Sequence, residues 1–335
     1  MAEKLLCEEG GCVNYAKGKA QECLNMGLEA SKAGHFNAAL EKLQEGRDLL
    51  KNGDHLELWL QLSNRLAETY CQTASWQDCV SLCQLTLTTW GHSPHHFQLL
   101  CALFHLTCAY YWLDLKDQGY AAVEEWSGKL VADSAPSKCV LLYTKANKLM
   151  LQDRYEAAEK LLEEALQWDF SLSYITICSR LHLADVYRHL EKYETAEEAY
   201  LSALALFSAH FPKAYILALC YSHLASLYKN MKKLQDAEKH CELAKELFSV
   251  YFPHTEGYAD CLGDLGEVYE AMNRLDAAEV LLVQASQLCS VSFPHSETHA
   301  YCLLRFGVLY KCMGREEEAV KKTPISVASL LDLLP

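Results

Sequence analysis

Sixteen cysteines and 14 histidines occur among 335 residues, so thiol and metal chemistry are the first to weigh. Cys79 and Cys83 stand one helical turn apart and could share a metal ion. Cys220, Cys261 and Cys302 recur at intervals of 41 and suggest a redox or metal ladder. His92, His95 and His96 gather around Pro94. None of these sets completes a ligand constellation: no Cys-x-x-Cys pair occurs, and the histidines have no thiol close by in sequence, as in a polar loop. Catalytic signatures are equally lacking. There is no Gly-x-x-x-x-Gly-Lys phosphate loop, no His-Glu-x-x-His and no Gly-x-Ser-x-Gly elbow. Carboxylate pairs such as Glu163-Glu164 and Glu197-Glu198 are consecutive, so on a helix they diverge by about 100°. The residues predict no catalytic residue, no cofactor and no metal site. A thiol- or metal-dependent regulatory protein stands as the competing class.

Thirty basic against 44 acidic side chains leave a net charge of −14. Without any basic block, that balance argues against nucleic acid and anionic membrane surfaces as partners. With 51% hydrophobic and 22% charged residues the chain can bury a large core. Near the start, Leu5-Leu6-Cys7 is too short an apolar run for a secretory signal, and no Asn-x-Ser/Thr acceptor occurs. Residues 97–113 are uncharged and interrupted only by polar Gln98, His105 and Thr107, short for a membrane span and suited to a buried helix. The expected location is the cytoplasm, in the cytosol or on the cytoskeleton, with the nucleus also compatible. There most thiols would be free and act as small hydrophobes.

The elements that must carry these residues are set by a repeat. At a shift of 41, Leu224-Ala225-Ser226-Leu227-Tyr228 lies over Leu265-Gly266-Glu267-Val268-Tyr269 and over Phe306-Gly307-Val308-Leu309-Tyr310. Taking the small residue as reference gives positions 27, 67, 109, 146, 184, 225, 266 and 307, hence eight units of 37 to 42 residues. In six of the eight an aromatic follows three later, and small residues recur twelve and nineteen later in most, a helical period broken by a short turn. Each unit therefore predicts a helical hairpin, with Gly or Ala where two helices cross closely. Pro94, Pro136, Pro212, Pro253 and Pro294 all fall between units, where helices must stop.

This pattern resembles the tetratricopeptide repeat, and the long units of the C-terminal half look like the branch typified by kinesin light chain. Departures are concentrated early: Thr86 replaces a small residue and Trp112 replaces the expected Tyr. The resemblance implies an all-α, right-handed α-solenoid of about eight hairpins over residues 19–322. It leaves residues 1–18 as an N-terminal extension or short helix and 323–335 as a C-terminal tail or capping helix. It further implies a non-catalytic scaffold that binds peptide or helical segments of partner proteins on the concave wall, or alternatively a cargo adaptor. No heptad coiled coil precedes the repeats to attach a motor.

By the same resemblance, the concave positions lie three before and one after each reference residue. They are Leu24 and Leu28, Asn64 and Glu68, Leu106 and Tyr110, Tyr143 and Asn147, Leu181 and Asp185, Ser222 and Ser226, Gly263 and Glu267, Leu304 and Val308. No cation stands among them, so the carboxylate clamp that receives Hsp70 or Hsp90 tails is not expected. The wall offers an apolar and aromatic middle of Leu103, Leu106, Tyr110, Leu113, Val140 and Tyr143 with Asn147, flanked by Asp185 and Glu267. Basic or amphipathic segments would suit it, unless part of the cluster is ordinary interhelix core. Cys220, Cys261 and Cys302 are expected to be packing residues, because adjacent hairpins stand ~10 Å apart, beyond disulfide reach. At the far end Pro324 interrupts the eighth unit's second helix. The tail then either caps the solenoid or ends it raw, as a truncated or isoform-specific terminus open to self-association.

Overall fold

The computed structural model describes residues 2–50, 55–113, 115–132, 134–168, 174–294 and 296–315. All regular structure among them is helical. The helices gather into two compact units, Met1–Ala214 and Tyr215–Pro335. The first holds five hairpins: α1 (Ala2–Lys32) with α2 (Phe36–Asp48), α3 (Leu56–Gln72) with α4 (Trp76–Trp90), α5 (His96–Trp112) with α6 (Lys116–Ser127), α7 (Ala135–Leu151) with α8 (Tyr155–Gln167), and α9 (Tyr174–His189) with α10 (Tyr193–His210). The second holds α11 (Tyr215–Asn230) with α12 (Leu234–Tyr251), α13 (Glu256–Ala271) with α14 (Leu275–Ser292), and α15 (Glu297–Cys312). Each unit is a stack of tetratricopeptide-like hairpins. In the sequence the repeat continues across the division, with a step of 41 from 184 to 225. Residues 2–18 continue α1 rather than forming a separate element. Pro324 and the tail, with the questions of capping and self-association, lie outside the described residues.

The helix crossings follow the small residues. Ala67, Ala146, Ala184 and Ala225 and their partners Cys79, Ala158, Ala196 and Ala237 are all buried, as is Ala39 opposite Gly27. The approach is close enough that a Cβ on Gly27 would lie 2.6 Å from Leu43 Cγ. Pro94, Pro212, Pro253 and Pro294 stand between helices, whereas Pro136 sits in the first turn of α7, behind the Ser134 N-cap, where a missing N–H costs nothing. Residues 97–113 form most of α5, which is buried on all sides from Leu99 to Tyr110; that burial accounts for the absence of charge there. Among the described residues no helix is long and apolar enough to cross a membrane.

Among the described residues, seven first helices end the same way. Gly34, Ala74, Asp153, Glu191, Lys232, Asn273 and Gly314 have positive φ, each seven residues after its reference residue. The amide that follows reaches back five residues, as in Ser75 N to Tyr70 O (2.9 Å) and Arg274 N to Tyr269 O (2.8 Å). This is the Schellman closure, which satisfies the orphan carbonyls of the last turn. The second helix then starts nine residues after the reference, at Phe36, Trp76, Tyr155, Tyr193, Leu234 and Leu275.

These landmarks correct the register of the third unit. There the back-bond runs from Leu115 N to Tyr110 O (2.9 Å) and the second helix starts at Lys116. Both place the reference residue at Thr107 rather than Ala109. Thr107 is fully buried and its hydroxyl donates to its own helix, to Phe104 O at 2.9 Å, so it serves as a small residue. The reference positions become 27, 67, 107, 146, 184, 225, 266 and 307, with steps of 40, 40, 39, 38, 41, 41 and 41. Tyr110, not Trp112, is the aromatic three later, and Gly119, not the exposed Ala121, is the crossing residue of α6. Trp126 then occupies the second small position, and Gly91 leaves room for it: a Cβ there would lie 2.1 Å from the indole.

The extra length of the units is spent at the joints. Tyr174, Phe207 and Phe211 meet edge to face, with Tyr174 and Phe211 centroids 5.4 Å apart. Tyr215, Phe248 and Phe252 repeat that arrangement 41 residues later, with Tyr215 and Phe252 centroids 5.3 Å apart. The Phe-Pro motif thus clamps the starts of α9 and α11, each against the second helix of its own hairpin.

Candidate functional site

The first helices of all five hairpins in the first unit line one cavity of about 680 Å³. From α1 come Gln21, Leu24, Asn25 and Leu28, and from α3 come Gln61, Asn64, Arg65 and Glu68. These are identical repeat positions, six, three and two before and one after the reference. Further along, the lining climbs toward the helix N-termini: Phe97, Gln98, Cys101 and His105 on α5, Pro136, Cys139 and Val140 on α7, and Tyr174, Ile175 and Thr176 on α9, with Trp168 from the preceding joint. Phe97 and Trp168 remain exposed at its edge, and Lys138 lies over the Trp168 ring at 5.4 Å.

The lining carries no net charge. Arg65 and Glu68 cancel in an ion pair of 2.7 Å, and Glu68 strengthens the guanidinium's hold on its proton. Burial pushes the His105 pKa down to about 3, so the ring is neutral. Burial likewise pushes the Cys101 thiol up to about 12. The rest is carboxamide, hydroxyl and hydrocarbon.

Two polar atoms of the lining are left without hydrogen bonds by folding. Asn64 Nδ2 donates to Gln98 O (2.9 Å) and Gln98 Oε1 (2.8 Å), which fixes the amide's orientation because a carbonyl only accepts. Its Oδ1 is buried and unpartnered. The Tyr174 hydroxyl is buried and unpartnered too. The nearest group is the Cys178 thiol one turn along, a weak acceptor whose ionisation the hydroxyl eases. Such groups are uncommon in native interiors and costly to leave unmade.

Of the nine residues predicted for the groove, Val140 alone lines this cavity. Leu103, Leu106, Tyr110, Val140, Tyr143, Asn147 and Asp185 are all buried, and Leu113 is half-buried. The third-unit register explains Leu106 and Tyr110. Tyr110 is a repeat aromatic whose hydroxyl accepts from Gln84 Nε2 at 2.6 Å. Tyr143 and Asn147 form a buried polar strut between helices: His182 Nδ1 lies 2.6 Å from the Tyr143 hydroxyl and 2.9 Å from Asn147 Oδ1, and Asn147 Nδ2 reaches Cys108 Sγ at 3.6 Å. Asp185 accepts from the Tyr200 hydroxyl at 2.5 Å and stands 3.8 Å from Arg188. The repeated carboxamides Gln21 and Gln61, forty residues apart, mark only the α1 and α3 part of the lining in the sequence.

Glu267 belongs to the second unit, where the equivalent wall is closed by its own charges. Lys229 on α11 and Tyr301 on α15 both donate to Glu267, and Arg305 Nε stands 2.7 Å away. Burial alone would raise this carboxyl, but Lys229, Tyr301 and Arg305 outweigh it and hold its pKa below the usual range. Lys229 also pairs with Asp264 at 3.8 Å and Arg305 with Glu270 at 3.5 Å. Glu267 is therefore a strut across three first helices.

The thiols are packing residues for the most part. Cys220, Cys261 and Cys302 are buried. Cys79 faces Cys71 across its hairpin turn, with sulfurs 3.6 Å apart, a proximity the repeat arithmetic did not reveal. Both are buried, and each pKa is raised well above the ordinary thiol value: that of Cys71 by its bond to Cys79 and by burial, and that of Cys79 by Cys83 and by burial, against an opposing pull from Cys71. No group of three or more His, Cys, Asp and Glu among the described residues is arranged to hold a metal ion. His92 is exposed and His95 and His96 half-buried, in the joint before α5 and its first residue.

Comparison with known proteins gives the class. Tetratricopeptide-repeat family models match residues 179–210 and 216–289. Among solved structures, BtubC (BKLC) from P. vanneervenii superposes with a TM-score of 0.51 at 19% identity, covering 66% of this chain and 90% of that one. The APC/C hetero-tetramer Cut9–Hcn1 gives a TM-score of 0.61 at 14% identity over 92% of this chain and 54% of that one. A Rap protein complexed with competence and sporulation factor gives 0.57 at 12% identity over 90% and 95%. No curated protein matches by sequence. The matched residues are tetratricopeptide repeats, and the chain shares the helical-hairpin fold of these solved structures.

Proposed function

We propose that this chain is a non-catalytic interaction scaffold that holds a segment of a partner protein in the cavity of its first unit. One observation carries the reading: five successive first helices converge on a single neutral cavity with exposed aromatic residues at its edge. Concave, mostly apolar sites with a few placed polar groups are where ligands bind, and stacked hairpins present them to peptides. The Rap protein that shares the fold is complexed with a factor, which supports the reading by analogy of fold. The net charge of −14 favours partners whose flanks are basic, by long-range attraction rather than contact in the cavity. Cytoplasmic work as an adaptor agrees with the buried, protonated thiols and with the long-unit resemblance.

The test is selection of a displayed random-peptide library on the immobilised full chain. Each selected peptide is then measured against Ile175→Trp, which fills the cavity, and Phe97→Asp, which charges its exposed edge without touching the core. Loss of binding in both variants, with unchanged helical circular dichroism, is expected. Binding indifferent to both would contradict the reading.

A further inference from the structure

We propose that the occupant of the first-unit cavity is an uncharged, extended peptide segment presenting an apolar or aromatic side chain, with its backbone read by Asn64 and Tyr174. This rests on the functional reading above and specifies its ligand.

Charge decides the first point. The chain as a whole carries −14, yet the cavity lining is neutral, because Arg65 is paired with Glu68 and His105 is an uncharged ring. A lysine or carboxylate entering there would lose its hydration and find no free counter-charge. Apolar matter meets the opposite situation: Leu24, Leu28, Val140 and Ile175 line the walls, and Phe97 and Trp168 wait at the edge.

The unpartnered atoms decide the second point. Asn64 Oδ1 can only accept, and the Tyr174 hydroxyl can donate. Asn64 is 8% exposed and Tyr174 3%, and both line the cavity, so small side-chain adjustments bring either to a ligand. An extended peptide supplies both complements, an N–H for Asn64 and a C=O for Tyr174. A helix has already spent those groups on itself.

The experiment uses the full chain and individual synthetic peptides from the selection, read by fluorescence anisotropy at low and high salt. The expected winners are uncharged and apolar or aromatic, with affinity changing less than about threefold with salt. Tyr174→Phe, which deletes one unpartnered hydroxyl, should weaken them about tenfold while leaving the melting temperature equal or higher. A merely structural hydroxyl would show no such split. Winners that are charged and strongly salt-dependent, yet still lost in Phe97→Asp, would overturn this ligand chemistry and leave the scaffold reading standing. Unchanged affinity in Tyr174→Phe would likewise overturn the role of that hydroxyl. Winners insensitive to Ile175→Trp and Phe97→Asp would overturn both readings.

Discussion

Tyr174 and Tyr215 stand at the same repeat position, 41 residues apart, each at the start of a first helix and each clamped by two phenylalanines. In the second unit the hydroxyl of Tyr215 accepts from the Gly257 amide and meets the Thr255 side chain. In the first unit the hydroxyl of Tyr174 has only the weakly polar Cys178 thiol near it. The walls beside them differ in the same sense. That of the second unit is tied across α11, α13 and α15 by Lys229, Glu267 and Arg305, while that of the first is neutral and hollow. Repeats that share a backbone plan thus divide their polar groups differently: the second wall is tied together by charge, and the first leaves Asn64 Oδ1 and the Tyr174 hydroxyl beside an open cavity.

The strongest way to break this comparison is to attack the predicted groove residues that the structure places in the core. Replacing Tyr110 and Tyr143 together by Ala should cost ~3–5 kcal/mol for each ring. Urea titration should then show unfolding of the first unit, and any lost peptide capture would report that unfolding. Near-native stability of the double variant would mean that these rings face solvent after all.

Glu267→Gln should be milder, ~1–2 kcal/mol, since its partners are partly exposed and screened. The loss should shrink at high salt, and affinity for peptides bound in the first unit should stay within about twofold. A large loss of affinity would move the site to the second unit.

Acidification should separate the units by sign. Burial raises the Asp260 pKa to about 7, above its unfolded value near ~3.9, so the folded second unit binds the extra proton and gains stability as pH falls from ~7 toward ~4. His105 lies at about 3 when folded, below ~6.5 unfolded, so the first unit loses stability as pH falls below ~6.5. Hydrogen exchange corrected for intrinsic rates, between pH 7 and 5, should show slower opening of α13 and faster opening of α5. Asp260→Asn and His105→Leu should remove the respective trends.

The smallest expected effect concerns the turns. Ala74 holds a left-handed conformation with φ of 58°, where its Cβ is strained. Ala74→Gly should raise stability by about 0.5–1 kcal/mol, measurable as a small rise in melting temperature. A fall would mean that chain entropy outweighs the strain there.

Most of the fold was legible because its determinants are local. Ala and Gly at crossings, Tyr three later and Pro at joints are demanded by helix packing and helix ends, and they recur. The third unit was misread because Thr107 hides its hydroxyl inside its own helix and so acts as the small residue, while Ala109 two positions on imitates one. That shift carried Leu106 and Tyr110 from core to predicted wall. The cavity itself was not legible. Its lining climbs from mid-helix on α1 and α3 to the N-termini of α5, α7 and α9, so no fixed offset from the reference residue finds it. Nor could composition show that Tyr174 and Tyr215, alike in sequence context, differ in whether a neighbour answers their hydroxyls.

The central claim, that the first unit's cavity is the interaction site, is tested most directly by hydrogen-exchange mass spectrometry of the full chain with and without a selected peptide. Protection should rise in α1, α3 and the N-terminal halves of α5 and α9, with α11, α13 and α15 unchanged. Protection confined to those three helices would contradict the account.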